Sequence, residues 1–524
     1  MGCITGMLID TVSIQQYVYS GNRLKENIGA SNIVRDIYKD WLGDALKAVL
    51  GHRVMLEDWS TNPKQISIYN SDVDFEVGYI GGGKALLFFR DRNRAVKFIR
   101  QWTEKLLLEA PGLNTAFALA DFNFKNFCEE LDRLHKELEI NKNRYFPQTH
   151  LPKHGITADC PLTGLSAEVF FTLEKDGAGD YISSAAYAKY LGFEDDRVKS
   201  LVEEKSGGKY TCTSNINKLG QSFGKGHIAI VHMDGNAMGE KFKACKDLID
   251  IRNLSVRLGD IMDNAYDRFL DYVIGLMDYF LEKKNGFDIE MEDGKYIIPF
   301  RPILVEGDDI TFITDGRLGL PFAEKYLELV SGDNLPGNKK MSACAGVAIT
   351  RTKYPFFRGY TLAEELCQSA KASARELKNN EGRETSWIDF HIAYGGFSGS
   401  LEEIMNKRYT VNGDRLHFGP YLVICGDMSN ERNIGHLKEG IKQFKDPEKW
   451  PRSVVKRLRD HLTLGENAPK HFMDEATIMG RELHSLSETG RGYGISLWRN
   501  GYTPYFDAIE LMDLYPDYFL NGGK

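Results

Sequence analysis

No stretch of this sequence is apolar for long enough to span a bilayer. No secretory leader is expected either, because the N-terminus runs straight into a strand pattern over residues 4 to 12. Met1-Gly2-Cys3 begins like a myristoylation signal, but Gly6 stands where that signal needs Ser or Thr. The eight cysteines are dispersed through 524 residues with no tight pairing, so no disulfide framework is built and a reducing cytoplasm is the expected compartment. There is no basic excess: 66 Lys and Arg face 74 Asp and Glu, a formal charge of −8. Blanket electrostatic binding to nucleic acid is therefore not expected, which leaves room only for local basic patches. What is left is an ordinary globular composition, 42% apolar and 27% charged, in a chain long enough for several domains.

One stretch stands out from that background, Arg301-Pro-Ile-Leu-Val-Glu-Gly-Asp-Asp-Ile-Thr-Phe-Ile-Thr314. Its two apolar runs, Ile303 to Val305 and Ile310 to Ile313, flank Glu306-Gly307-Asp308-Asp309 and read as a β-hairpin. Adjacent carboxylates at a hairpin tip repel one another, and a divalent cation between them offsets that cost; a plain solvated turn is the alternative. A second stretch tips the balance. His227 to Phe242 reads as a buried strand ending in Asp234, then a glycine-bearing turn into a helix. The amides from Gly235 onward, with Asn236 and Gly239, would open that helix and favour phosphate, as would Gly307 at the hairpin tip. Asp234 beside Asp308 and Asp309 gives converging oxygen ligands for Mg²⁺ or Mn²⁺. This is the layout of palm-type nucleotidyl transfer with a two-metal site.

The periodicity around these stretches predicts an α+β protein. A strand over residues 4 to 12, a helix over Asn22 to Leu50, a hairpin over Phe75 to Phe89, a helix over Arg94 to Leu108 and a strand over Leu113 to Ala120 give the order βαββαβ, the ferredoxin-like unit. The order returns with Ile228 to Met233, a mostly helical Asn236 to Lys283, the hairpin at Gly307, a helix over Phe322 to Val330 and a strand over Ala343 to Thr350. Asp10 precedes Gly83 by 73 positions, and Asp234 precedes Asp308 by 74. The expected organisation is a first palm at 1–120, a connecting domain at 121–225, a second palm at 226–395 and a helical C-terminal domain at 396–524.

The copies differ in chemistry. Gly83 and Lys84 replace Asp308 and Asp309, so only the second copy holds the full carboxylate set. Gly82 and Gly83 either let a second nucleotide approach bare backbone or simply make a tight turn. A helix over Leu362 to Lys378 carries Lys371, Arg375 and Lys378, which either meet triphosphate oxygens or form a solvated face. In the connecting region Cys160 and Cys212 each resemble half of a zinc knuckle. His150 and His154 lie near Cys160, but two lone thiolates do not make a structural tetrahedral site, and zinc is not expected.

Together these residues resemble the large palm-domain subunit of type III CRISPR effector complexes. Gly307-Asp308-Asp309 stands at that family's Gly-Gly-Asp-Asp signature. Ser20 to Ser31, Asn217 to Gly220, Gly346 to Ile349, Lys353 to Pro355, Ala370-Lys371 and Ile388 to Phe390 resemble its other elements. The resemblance implies synthesis of a cyclic oligonucleotide from NTPs, ATP foremost, as an antiviral signal read by a downstream effector. It implies Asp234, Asp308 and Asp309 as metal ligands, joined by the Gly235 carbonyl, with Lys371 on triphosphate. Guide RNA and small CRISPR-type subunits are the implied partners. Glu306 replaces the signature's first glycine, the second cysteine of each zinc pair is missing at Thr163 and Asn215, and the first palm starts at the N-terminus without an HD nuclease domain. The rival reading is a catalytically quiet scaffold gripping guide RNA and target. A templated polymerase lacks a further domain to clamp primer and template.

Overall fold

The computed structural model describes residues 4–52, 54–70, 72–144, 155–172, 179–193, 196–220, 226–395, 399–423, 430–466, 469–481, 483 and 497–522. The chain opens with β1 (Ile4–Val12), a short α1 (Ile14–Tyr19) and α2 (Leu24–Tyr38). The hairpin β2 (Phe75–Gly81) and β3 (Lys84–Phe89), then α3 (Arg92–Glu109) and β4 (Asn114–Phe122), complete an antiparallel sheet ordered β2-β3-β1-β4. Asp91 caps α3 by accepting from the Asn93 N–H. The buried Ala95, Phe98, Ile99, Trp102 and Leu106 form its core-facing stripe. The helix expected from Asn22 to Leu50 is instead two. Lys39 leaves helical geometry (φ −103°, ψ −86°), and a second helix, Asp40–Leu50, follows. The Trp102 indole donates to the Ile37 carbonyl at that break, 3.0 Å away.

In the connecting region α4 (Phe127–Lys142) covers β1 and β4, and α5 (Ser184–Gly192) packs on α2. The sequence pattern predicts a helix over Phe124 to Lys142 followed by loops, so the latter helix is an addition. Cys160 and Cys212 are buried in separate apolar clusters, and His150 and His154 lie outside the described residues.

The second sheet is built from β5 (His227–Gly235), the long α6 (Leu248–Gly275), the hairpin β6 (Phe300–Glu306) and β7 (Asp309–Asp315), α7 (Gly319–Ser331), β8 (Ala343–Arg351), α8 (Phe356–Glu381), β9 (Ser386–Ile392) and β10 (Tyr421–Val423). Its order is β6-β7-β5-β8-β9-β10, so the first four strands repeat the connectivity of the first sheet. β9 pairs in parallel with β8, and β10 adds antiparallel to β9. The C-terminal region is thus not wholly helical: one of its segments extends the central sheet. Its helices include α9 (Ile434–Lys445), α10 (Arg452–Leu462) and α11 (Tyr505–Leu511). One apolar core runs from β1 and α2 through β5, β7 and β8 to α11. No helix among the described residues is long and apolar enough to cross a membrane.

Candidate functional site

Strand β5 is central in its sheet, and its apolar residues Ile228, Ala229, Ile230, Val231 and Met233 are all at most 2% exposed. A strand covered on both faces needs such a continuous apolar run. His232 and Asp234 interrupt it. They sit two residues apart, so both side chains leave the same face. Ile310 of β7 pairs with Met233 of β5, which sets Asp309 beside Asp234. The turn between β6 and β7 requires positive φ at Gly307, +60°, and glycine supplies it without strain. Gly235 is held to glycine by contact: a Cβ there would stand 2.7 Å from Asp308 Oδ2.

The three carboxylates therefore meet at one point. Burial, and then the charge of Asp234, raise the Asp308 carboxyl to about 6 and push Asp309 well above the usual range. Lys371 of α8 donates to Asp234 Oδ2. Asp309 Oδ1 is buried with no hydrogen-bond partner. One ligand atom each from His232, Asp234 and Asp309 lies within 4.8 Å of the other two. Converging carboxyl oxygens, one of them orphaned, fit a divalent cation, whose charge would favour their ionised form. His232 is absent from the sequence-based set, although its place two residues before Asp234 was the available signal. Burial lowers its imidazole to about 4, so it stays neutral, and its Nδ1 lies 3.0 Å from Thr311 Oγ1.

Asp308 and Asp309 line a cleft of about 730 Å³ between the two repeated units. The first unit contributes Thr11, Tyr19 and Gly82, and the second contributes Asp308, Asp309 and Tyr360. Tyr19 and Tyr360 stack at 3.6 Å between centroids, joining α1 to the helix that carries Lys371. The two hairpin tips touch. Gly83 N–H donates to Glu306 Oε1 at 3.2 Å, and a Cβ on Gly307 would stand 3.5 Å from Gly82 Cα.

No protein-family model matches the sequence, and no curated protein does. Among solved structures the chain is similar to Csm1-Csm4 cassettes. One, in complex with pppApApA, aligns at 13% identity with a TM-score of 0.48 over 98% of this chain and 69% of that chain. Another, in complex with one ATP, aligns at 14% identity and a TM-score of 0.45, over 98% and 70%. The Csm1-Csm4 subcomplex of the type III-A CRISPR-Csm interference complex gives 13% identity and a TM-score of 0.43, over 98% and 70%.

The remaining candidates are placed unevenly around the carboxylates. Gly82 is exposed on the cleft wall, but Gly83 is buried and its backbone is committed. Its carbonyl accepts from Thr11 N–H at 2.9 Å and Tyr38 O–H at 2.5 Å, and an added Cβ would strike Ile14 at 2.2 Å. The helix expected to open at Gly235 does not form there. Gly235 stays in β5, paired with Ala343, and the Asn236 N–H donates to the Ser342 carbonyl. Helix begins only at Met238 and ends at Lys243, so Gly239 sits inside a six-residue segment. Asn236 spends its side-chain N–H groups on Ser342 Oγ and the Thr385 carbonyl, pinning the turn. Arg375 is exposed one helical turn beyond Lys371 and pairs with nothing among the described residues. In the first copy the counterpart carboxylate, Asp10, is neutralised by Lys142 Nζ at 2.6 Å and Lys84 Nζ at 3.9 Å. Ammonium groups there hold the place that carboxylates surround in the second copy.

Proposed function

We propose that this protein is a metal-dependent nucleotidyl cyclase. It condenses NTPs, ATP foremost, into a cyclic (oligo)nucleotide that signals in antiviral defence, with release of pyrophosphate. Both repeated units are read as ferredoxin-like palms, the first at 1–120 and the catalytic one at 226–395. Residues 121–225 connect them and 396–524 form the C-terminal domain. The observation that carries this reading is the meeting of Asp234 with Asp308 and Asp309, the latter two lining a cleft with walls from both copies. Asymmetry supports it: the same position in the first copy is closed by Lys84 and Lys142.

Asp234, Asp308 and Asp309 would hold Mg²⁺ or Mn²⁺. The cation would stabilise an attacking ribose oxygen and the charge on departing pyrophosphate. The chain supplies the positioning. Partial burial lowers the dielectric around the carboxylates, which strengthens their electrostatic effect relative to bulk water. Exposed Gly82, without a side chain, allows a nucleotide to approach the first hairpin closely. The stacked Tyr19 and Tyr360 fix one wall against the other, and a cleft of about 730 Å³ has the size of a nucleotide site. Lys371 holds Asp234 in place and lies within reach of a phosphate bound over it.

The test is mass spectrometry of products after incubation with each NTP, singly and mixed, in Mg²⁺ or Mn²⁺, beside the Asp308→Ala, Asp309→Ala double variant. A cyclic product from the unaltered protein alone is expected. Equal product from both proteins removes the carboxylates from the mechanism. RNA of defined length in the purified protein, without product, would favour the scaffold.

A further inference from the structure

We propose that His232 is a nitrogen ligand of the cation at Asp234 and Asp309, and that the site therefore takes Mn²⁺ ahead of Mg²⁺. The inference rests on the metal-dependent reading above and deepens it. His232 is 1% exposed, and its side chain shares a strand face with Asp234. A ring nitrogen of His232 and one oxygen each of Asp234 and Asp309 lie within 4.8 Å of one another. Ligand atoms about 2.0–2.2 Å from a common cation stand about 3 Å apart when cis and up to about 4.4 Å when trans, so three atoms within 4.8 Å of one another are close enough to share a cation after a modest inward adjustment.

Two further observations point to a ligand here. Asp309 Oδ1 is buried and unpartnered, a costly state that a cation would relieve. The imidazole is also locked. Thr311, its register partner on β7, holds Nδ1 at 3.0 Å, and the Tyr360 ring meets it edge-on at 5.5 Å. Hydrogen-bonded support of this kind is what fixes metal-bound imidazoles. A histidine serving only as core filler would account for the Thr311 bond, but not for its place beside an orphaned carboxylate oxygen. Lys371 contacts Asp234 through Oδ2 and holds that carboxylate against Asp309.

The choice of metal follows from ligand chemistry. Mg²⁺ demands near-ideal oxygen octahedra and dehydrates reluctantly, whereas Mn²⁺ accepts a mixed nitrogen and oxygen set. The first copy offers an internal contrast, since Leu8 stands two residues before Asp10 and supplies no ligand.

The experiment is pulsed EPR of the full chain loaded with Mn²⁺, with and without ¹⁵N-histidine labelling. Mn²⁺ titrations of the unaltered protein, His232→Gln and Asp309→Asn accompany it. The expected result is a ¹⁴N modulation that changes to the ¹⁵N pattern on labelling. His232→Gln should lose roughly 10–100-fold or more in Mn²⁺ affinity, the range for losing even an outer partner of a ligand, with little change toward Mg²⁺. Mn²⁺ binding that Asp309→Asn weakens, but with no nitrogen coupling, overturns the histidine ligand and leaves the metal-dependent reading standing. No Mn²⁺ binding, or binding indifferent to Asp309→Asn, overturns both. The unaltered protein's spectrum decides the matter even if His232→Gln fails to fold.

Discussion

His417 shows what single side chains contribute away from the carboxylates. Its Nε2 lies 2.8 Å from Asp389 Oδ1 and its Nδ1 lies 3.0 Å from Asp507 Oδ1, all three residues being buried. Burial alone lowers an imidazole, but here Asp507 and Asp389 outweigh it and raise the group from 6.5 to about 10. A histidine raised on folding binds its proton more tightly in the native state, so its contribution is complete below the unfolded value and lost as pH rises toward the folded one. Denaturant unfolding should therefore show stability falling between about pH 6.5 and pH 10. His417→Ala should remove that slope and cost about 3–5 kcal/mol near neutral pH, because two carboxylates are left buried without their cation. An unchanged slope in the variant would mean that another group titrates.

At the scale of elements, the cleft wall depends on a crossing of two helices. α5 lies against α2 so closely that a Cβ on Gly29 would sit 1.8 Å from the Lys189 carbonyl, and one on Gly192 would sit 2.6 Å from the Gly29 carbonyl. That approach lets the buried Lys189 ammonium donate to the Tyr17 carbonyl at 2.6 Å and Ser20 Oγ at 2.8 Å, at the end of α1. α1 in turn carries Tyr19 to its stack on Tyr360. Gly29→Ala should force the helices apart, lower the urea midpoint by the equivalent of about 1–3 kcal/mol, and loosen the cleft wall. A variant as stable as the parent would show that the crossing tolerates a methyl group and that Lys189 does not depend on it.

For the molecule as a whole, the joint between the hairpin tips is the contact to test. Glu306 and Gly83 are 223 residues apart in sequence, yet the Gly83 N–H is satisfied by the Glu306 carboxylate. Glu306→Gln keeps an acceptor and should melt close to the parent. Glu306→Ala leaves a buried N–H unpaired and should cost about 1–3 kcal/mol. Because one apolar core joins both units, that loss should appear in calorimetry as a shift of the main transition. Equal melting of the two variants would remove the hydrogen bond from the joint.

Much of this was legible in the sequence, because the signals are local. The apolar run of Ile228 to Met233 marks a buried strand, helical spacing in Arg94 to Leu108 reports which face is buried, and Glu306-Gly307-Asp308-Asp309 marks its own turn. The strands and helices of both copies, and the strand end and hairpin tip that carry the three carboxylates, follow from such patterns. What each face is buried against does not, since that is set by contacts between distant segments. Only the tertiary structure brings Lys371 onto Asp234 across 137 residues, commits Gly83 to Glu306 and Tyr38, and fills the first copy's site with Lys142. It also decides the break at Lys39, the late helix start at Met238 and the docking of β10 onto β9, where long-range packing and hydrogen bonding override a local preference. Chemistry-bearing residues can be found one at a time along a chain; which of them share a cleft is a property of the closed fold.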